Sequence, residues 1–282
     1  MTDRPVTARL AVLRLRPRST IAIAGTSLAG LVGFCWPLFV NAGAGIGHGR
    51  DAPWLFAALL PLLLAVVLAE LAEGGMDAKA VALLGVLAAI GAVLRPLSTG
   101  LTGFTFIFVL LIPAGRVLGA GFGFVLGALS MFASAVLTGG IGPWLPFEML
   151  GVAWTGLCAG LLPRRVGGRA EVAMLAGYGA VAGLFYGLLL NMWSWPFTLG
   201  QGTAPSITYH PGASVLSNLH RFVAYDLASS LGFDIPRAVG NAILLVALSR
   251  PIMLVLRRAA RRAAFDAPVQ FDPKPASDRL ES

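Results

Sequence analysis

VLGAGFGFVLGALSMFASAVLTGGIGPWLPFEMLGVAWTGLCAGLLP, residues 117–163, carries a single charged side chain, Glu148. Its two apolar runs, 117–138 and 147–163, show no alternation of polar and apolar residues. A hydrocarbon core of ~30 Å takes roughly 20 helical residues to cross, whereas a membrane β-barrel alternates over strands of ~10 residues. These runs therefore predict membrane-spanning helices. The connector between them, Thr138–Leu150 (TGGIGPWLPFEML), is dense in glycine and proline and sets a carboxylate at the threshold of the second helix.

Apolar runs of this kind recur along the chain of 282 residues, which is 57% hydrophobic and 12% charged. That composition predicts an all-α polytopic membrane protein. A net charge of +8 could suggest nucleic acid, but the arginines and lysines gather at segment ends without a basic-aromatic patch, so no nucleic-acid partner is expected. Cys35 and Cys158 both lie in apolar segments and read as small packed hydrophobes, with no disulfide or metal site. The run Ile21–Val40 follows five arginines and precedes a small-x-small stretch at Ala42–Ala44, yet it is too long for a signal-peptide core and is expected to stay as a first helix.

Eight segments are predicted, at 20–40, 54–73, 78–95, 104–115, 117–138, 147–163, 171–192 and 237–257. The fourth is short, and Pro113-Ala114-Gly115-Arg116 is read as the break that ends it. The expected organisation is a basic tail (1–19), a two-helix hairpin (20–73), a six-helix membrane module (74–262) and a polar, disordered tail (263–282). With the N-terminus in the cytoplasm, sixteen of the 21 basic residues fall inside and only Arg50, Arg95, Arg221 and Arg237 fall outside, Arg250 lying within the last helix. The positive-inside rule thus predicts both termini cytoplasmic.

Small residues recur at four-residue spacing: Gly119, Gly123 and Gly127, then Gly156 and Gly160, then Gly179, Gly183 and Gly187. Lipid supplies no hydrophobic drive for helix association, so such rows serve close backbone packing. The third segment spreads Ala78, Ala82, Gly85, Ala88, Ala89 and Ala92 along its length, a face suited either to internal packing or to docking a separate membrane subunit.

Three connectors face outward in this topology: 95–103 (RPLSTGLTG), 138–150 and the long 193–236. The last holds Trp193, Trp195, Gln201, Tyr209, His210 and His220. It also carries a helical pattern capped by Ser214, in which Val215, Leu216, Leu219, Phe222, Val223 and Leu227 share a face. An amphipathic helix on the outer surface, or a lid, fits that pattern. Apolar walls with a few placed polar groups are what a small-molecule pocket needs. The candidate ligand residues are Arg95, Trp144, Glu148, Asn191, Trp193, Trp195, Tyr209, His210 and His220. For Glu148, capping of the helix N-terminus and ligand contact are both open. For the tryptophans, the alternative is an interfacial belt.

Nothing in the sequence points to catalysis. There is no G-x-x-x-x-G-K-[ST] phosphate loop, no H-E-x-x-H and no G-x-S-x-G. An enzyme is not expected, nor a cofactor.

Three stretches carry a family resemblance: GVLAAIGAVLR (85–95), FTFIFVLLIPAGRVLGAGFGFVLGALSMF (104–132) and LTGGIGPWLPFEMLGVAWTGLCAGLLP (137–163). Together they resemble the substrate-binding S component of energy-coupling-factor (ECF) vitamin transporters, of actinobacterial type. The resemblance spans roughly residues 78–257. It implies a six-helix module that binds a vitamin or precursor from outside and works with a transmembrane coupling subunit and two cytoplasmic ATPases. It places the ligand on the three outward connectors. It also matches the family's Ala-x-x-x-Ala docking motif to Ala78/Ala82 or Ala88/Ala92. Cobalamin is the first substrate it suggests, with riboflavin, thiamine and biotin beside it. The two N-terminal helices depart from the six-helix pattern. A stand-alone secondary transporter or a non-transport structural membrane protein are the competing readings; neither internal repeats nor acids at helix centres favour the former.

Overall fold

The computed structural model describes residues 17–39, 58–66, 78–98, 105–198 and 204–263. Trp54, Gln201, the C-terminal tail beyond residue 263 and most of the predicted second segment lie outside them. Among the described residues the chain is helical throughout, without a strand. The elements are α1 (Pro17–Phe34), α2 (Trp36–Phe39), α3 (58–66), α4 (Ala78–Leu97), α5 (Phe106–Leu118), α6 (Ala120–Thr138), α7 (Leu145–Leu161), α8 (Gly168–Thr198), α9 (Val215–Ser229) and α10 (Leu231–Ala263). Four of these, α4, α6, α8 and α10, are long and apolar enough to cross a membrane, and α1, α5 and α7 are shorter apolar helices.

The short helix α5 is the centre of the bundle. It packs against α4, α6, α7 and α10, and nearly all of it from Ile107 to Leu118 is buried. Its 13 residues span only about 20 Å at 1.5 Å per residue, which burial among neighbouring helices makes tolerable. The expected break at Pro113–Arg116 is not there. Pro113 and Gly115 lie inside α5, and the chain turns instead at Gly119, whose φ of 107° few other residues adopt.

The glycine rows explain the closest crossings. A Cβ on Gly127 would stand 2.7 Å from the Val152 carbonyl oxygen and 2.8 Å from Ala153 Cα, and Gly123 and Gly156 lie backbone to backbone across the α6/α7 contact. The row on α8 does different work. Gly179 receives Leu245, while Gly183 and Gly187 make room for Asn241, Arg237 and Asp234 of α10, so a polar seam runs between these two helices.

At one end of the bundle Arg116, only 4% exposed, donates to Glu171 Oε1 at 2.9 Å and to the carbonyls of Leu162 and Val166. Arg257 donates to both oxygens of Glu171. Arg116, expected only as a topology signal, is thus the tie that joins α5, α8, α10 and the α7–α8 turn.

The predicted long connector is shorter than expected. Helix α8 continues through Pro196 to Thr198 and α10 begins at Leu231, so Trp193 and Trp195 are helical residues and not loop residues, in line with Asn191 before them. Ser214 does cap α9, accepting from the Ser217 N–H at 3.2 Å. Of the six apolar residues expected to share a face of α9, only Phe222 departs from it. Val215, Leu216, Leu219, Val223 and Leu227 are exposed, whereas Asn218, Phe222 and Tyr225 pack inward. The apolar stripe points away from the protein, as suits a helix seated against lipid.

Candidate functional site

The end of the bundle opposite the Arg116 cluster concentrates aromatic and polar side chains from six helices. Its aromatic part begins with α8, where Trp193 and Phe197 are one turn apart with ring centroids separated by 5.7 Å. Phe147, from the first turn of α7, lies 4.6 Å from Trp193. Trp36 stacks on Phe197 at 5.4 Å and donates through Nε1 to the Trp193 carbonyl at 3.3 Å. Tyr209 stands 6.2 Å from Trp36 and edge-on to Trp195 at 5.4 Å. Behind them Trp195, Phe222 and Tyr225 form a small separate core, with Trp195 Nε1 bonded to the Ile207 carbonyl at 2.8 Å. Offset and edge-on aromatic packing of this kind stabilises beyond its area burial.

The polar part lies beside it. Arg95 on α4 pairs with Glu148 on α7 at 2.8 Å. Asn191 donates to Asp226 at 2.7 Å and to Ser230 at 2.5 Å, tying α8 to α9. Arg237 pairs with Asp234 at 2.6 Å and lies 5.9 Å above the Tyr186 ring. Asn241 is fully buried and donates to the Gly179 carbonyl.

Two donors of the aromatic part have no partner among the described residues, and neither does Asn241 Oδ1 in the polar part. Trp193 Nε1 and the Tyr209 hydroxyl are buried donors on rings that are 6% and 8% exposed. Buried polar groups are almost always satisfied, and leaving one unmade costs about 1–3 kcal/mol. Burial also raises the pKa of the Tyr209 hydroxyl, so it stays protonated and able to donate near neutral pH. Apolar aromatic walls carrying a few free donors match the make-up of a small-molecule site.

The sequence-predicted residues fall into three groups. Trp193 and Tyr209 meet in the aromatic assembly, with Trp195 behind them. Arg95, Glu148 and Asn191 lie at the same end, each engaged with a protein partner. Glu148, for which capping and ligand contact were weighed, lies in the first turn of α7 and pairs with Arg95. Trp144, His210 and His220 are exposed at the rim. Trp144 Nε1 turns back onto the Gly140 carbonyl at 3.2 Å, and the backbone of His210 is held from both sides by Asn218. Among the docking candidates, Ala78 and Ala82 are exposed on α4, together with Gly85 and Ala89, while Ala88 and Ala92 face the bundle interior at 3% and 0% exposure.

Sequence reading passed over Trp36, Tyr186, Asp226, Asp234, Arg237 and Asn241 as site residues. The Asp234/Arg237 spacing and an asparagine within an apolar helix were available signals. For Trp36 there was none, because its partner Trp193 is 157 residues away.

The model of the protein family described as "ECF transporter, substrate-specific component" matches residues 79–249. No curated protein and no solved structure gives a match.

Proposed function

The chain belongs to the family of ECF transporter substrate-specific components, and from that premise we propose that it captures a vitamin-class micronutrient at its aromatic end. The observation that carries this reading is the pair of buried, unpartnered donors, Trp193 Nε1 and Tyr209 Oη, set among aromatic faces. A ligand with a flat or apolar surface and hydrogen-bond acceptors answers both features. In this proposal the aromatic end faces outward and the Arg116–Glu171–Arg257 cluster faces the cytoplasm, as the distribution of basic residues favours.

The remaining parts follow. The six helices α4 to α8 and α10 form the substrate module, with α1 to α3 as an N-terminal addition. Release to the cytoplasm runs through a coupling subunit driven by two ATPases, docked on the exposed small-residue face of α4 at Ala78 and Ala82. That face is supported over Ala88/Ala92 because the latter pair is already covered by the protein's own helices. Cobalamin, riboflavin, thiamine and biotin are the substrates to try first.

The test is mass spectrometry of small molecules carried through purification of the full chain, repeated on Trp193→Phe and Tyr209→Phe. The expected result is a vitamin retained by the wild type and depleted at least tenfold in either variant. Equal retention in wild type and both variants would move the site elsewhere in the fold.

A further inference from the structure

One stacking contact of the aromatic end comes from outside the matched family region. Residues 79–249 carry the family match, yet the ring that stacks on Phe197 and bonds to the Trp193 carbonyl is Trp36. Trp36 is 6% exposed and stands 6.2 Å from Tyr209, so it touches the surroundings of both unpartnered donors.

Its position is fixed by the helix before it. Phe34 is fully buried and meets Phe147 edge-on at 5.0 Å and Trp154 at 5.6 Å. Trp154 Nε1 donates to Ser27 Oγ at 2.8 Å. Gly30 and Gly33 let α1 lie close on α7, with Leu150 against the first and Phe147, 3.3 Å from a Cβ built there, against the second. The chain then breaks at Cys35, and Trp36 turns in over the end of α8. A helix that served only as an added membrane anchor has no need to insert two large rings into this end of the bundle. Each ring here touches a residue that the site already uses.

We infer that Trp36 is a wall of the substrate site, so that the N-terminal helix contributes to ligand recognition and selectivity. This inference rests on the reading of the aromatic end given above. It goes further in assigning a binding residue to the part of the chain that lies outside the family match. The indole offers a π-face opposite Trp193 and Tyr209, which suits a ligand carrying a planar unsaturated ring with acceptor atoms at its edge.

The experiment uses the full chain, purified in detergent, with cyanocobalamin, riboflavin, thiamine and biotin as separate radiolabelled probes. Trp36→Ala and Trp36→Phe are compared with Ser27→Ala, which loosens the α1–α7 tie without touching the ring, and with Trp193→Phe and Tyr209→Phe. Monodispersity and thermal unfolding are recorded for each. The expected result is that the wild type retains at least one probe and that Trp36→Ala weakens it at least tenfold. Trp36→Phe should weaken it less and alter the ranking among probes, and Ser27→Ala should bind as wild type. Loss in Trp193→Phe and Tyr209→Phe with unchanged affinity and ranking in both Trp36 variants overturns the role of Trp36 and leaves the site standing. If Trp36→Ala and Ser27→Ala weaken binding equally, Trp36 acts only through folding, and the inference fails. Retention of none of the probes by the wild type removes the site reading and this inference with it.

Discussion

Arg95 Nη2 and Glu148 Oε2 lie 2.8 Å apart, joining the end of α4 to the first turn of α7 beside the aromatic assembly. Both side chains are about four-fifths buried, at 24% and 19% exposure. Removing one partner leaves the other charge without compensation, which costs about 1–3 kcal/mol. Glu148→Ala and Arg95→Ala should each lower the unfolding temperature in detergent, and the double variant should lose less than the sum of the two. Additive losses would show that the pair is not coupled.

At the other end, Glu171 accepts from two arginines while itself 3% exposed. Glu171→Ala strands Arg116 in the interior and should destabilise the protein by about 3 kcal/mol or more. Most of this comes from Arg116, because Arg257 is 37% exposed and can reach water. Probe retention per folded molecule should be unchanged, as the cluster sits opposite the proposed site. Thermal unfolding and binding measured on the same preparation check both halves.

The α6/α7 crossing predicts the sharpest packing penalty. Gly156→Val would drive a side chain into the backbone of Gly123, where nothing flexible can give way. Overpacking of this kind costs about 3 kcal/mol or more. Gly177→Val on α8 has open space and should behave as wild type. Yield of monodisperse protein distinguishes the two.

Docking through α4 predicts a contrast between neighbouring positions. Ala82→Trp and Ala89→Trp, on the exposed face, should abolish co-purification with a coupling subunit and leave probe binding intact. Ala88→Trp points into the core and should fail at folding instead. Persistence of the complex in the first two variants would place docking on another face.

Tyr209→Phe removes an unpartnered buried hydroxyl and keeps the ring against Trp195 and Trp36. The ligand-free protein should therefore be unchanged or stabilised by about 1 kcal/mol, since no hydrogen bond is lost. A clear loss of stability without ligand would mean that the hydroxyl has a structural partner.

Sequence reading found the helices where apolar periodicity and length speak for themselves, as at Ala78–Leu97 and Ala120–Thr138. It misplaced boundaries where tertiary burial overrides local chemistry. Pro113 read as part of a helix break yet lies within α5, and α8 runs through Pro196 beyond its expected end at 192, where neighbouring elements stabilise the chain despite the missing N–H. The α9 stripe stands at the expected spacing with its apolar side exposed, as suits a surface helix against lipid, and only Phe222 leaves it to pack inward.

The sequence by itself determined that this is a helical membrane protein, and the stretches 85–95, 104–132 and 137–163 carried its resemblance to S components. Length and apolarity of segments, small-residue rows and terminal charges are local properties that the bilayer reads directly. Only the tertiary structure decided who meets whom at the aromatic end. Glu148 is answered by Arg95 and Asn191 by Asp226, Trp36 lies against Trp193, and Trp193 Nε1 and the Tyr209 hydroxyl have no partner among the described residues. These pairings join residues 35 to 157 positions apart. They are set by how whole helices cross, which no short window of sequence encodes.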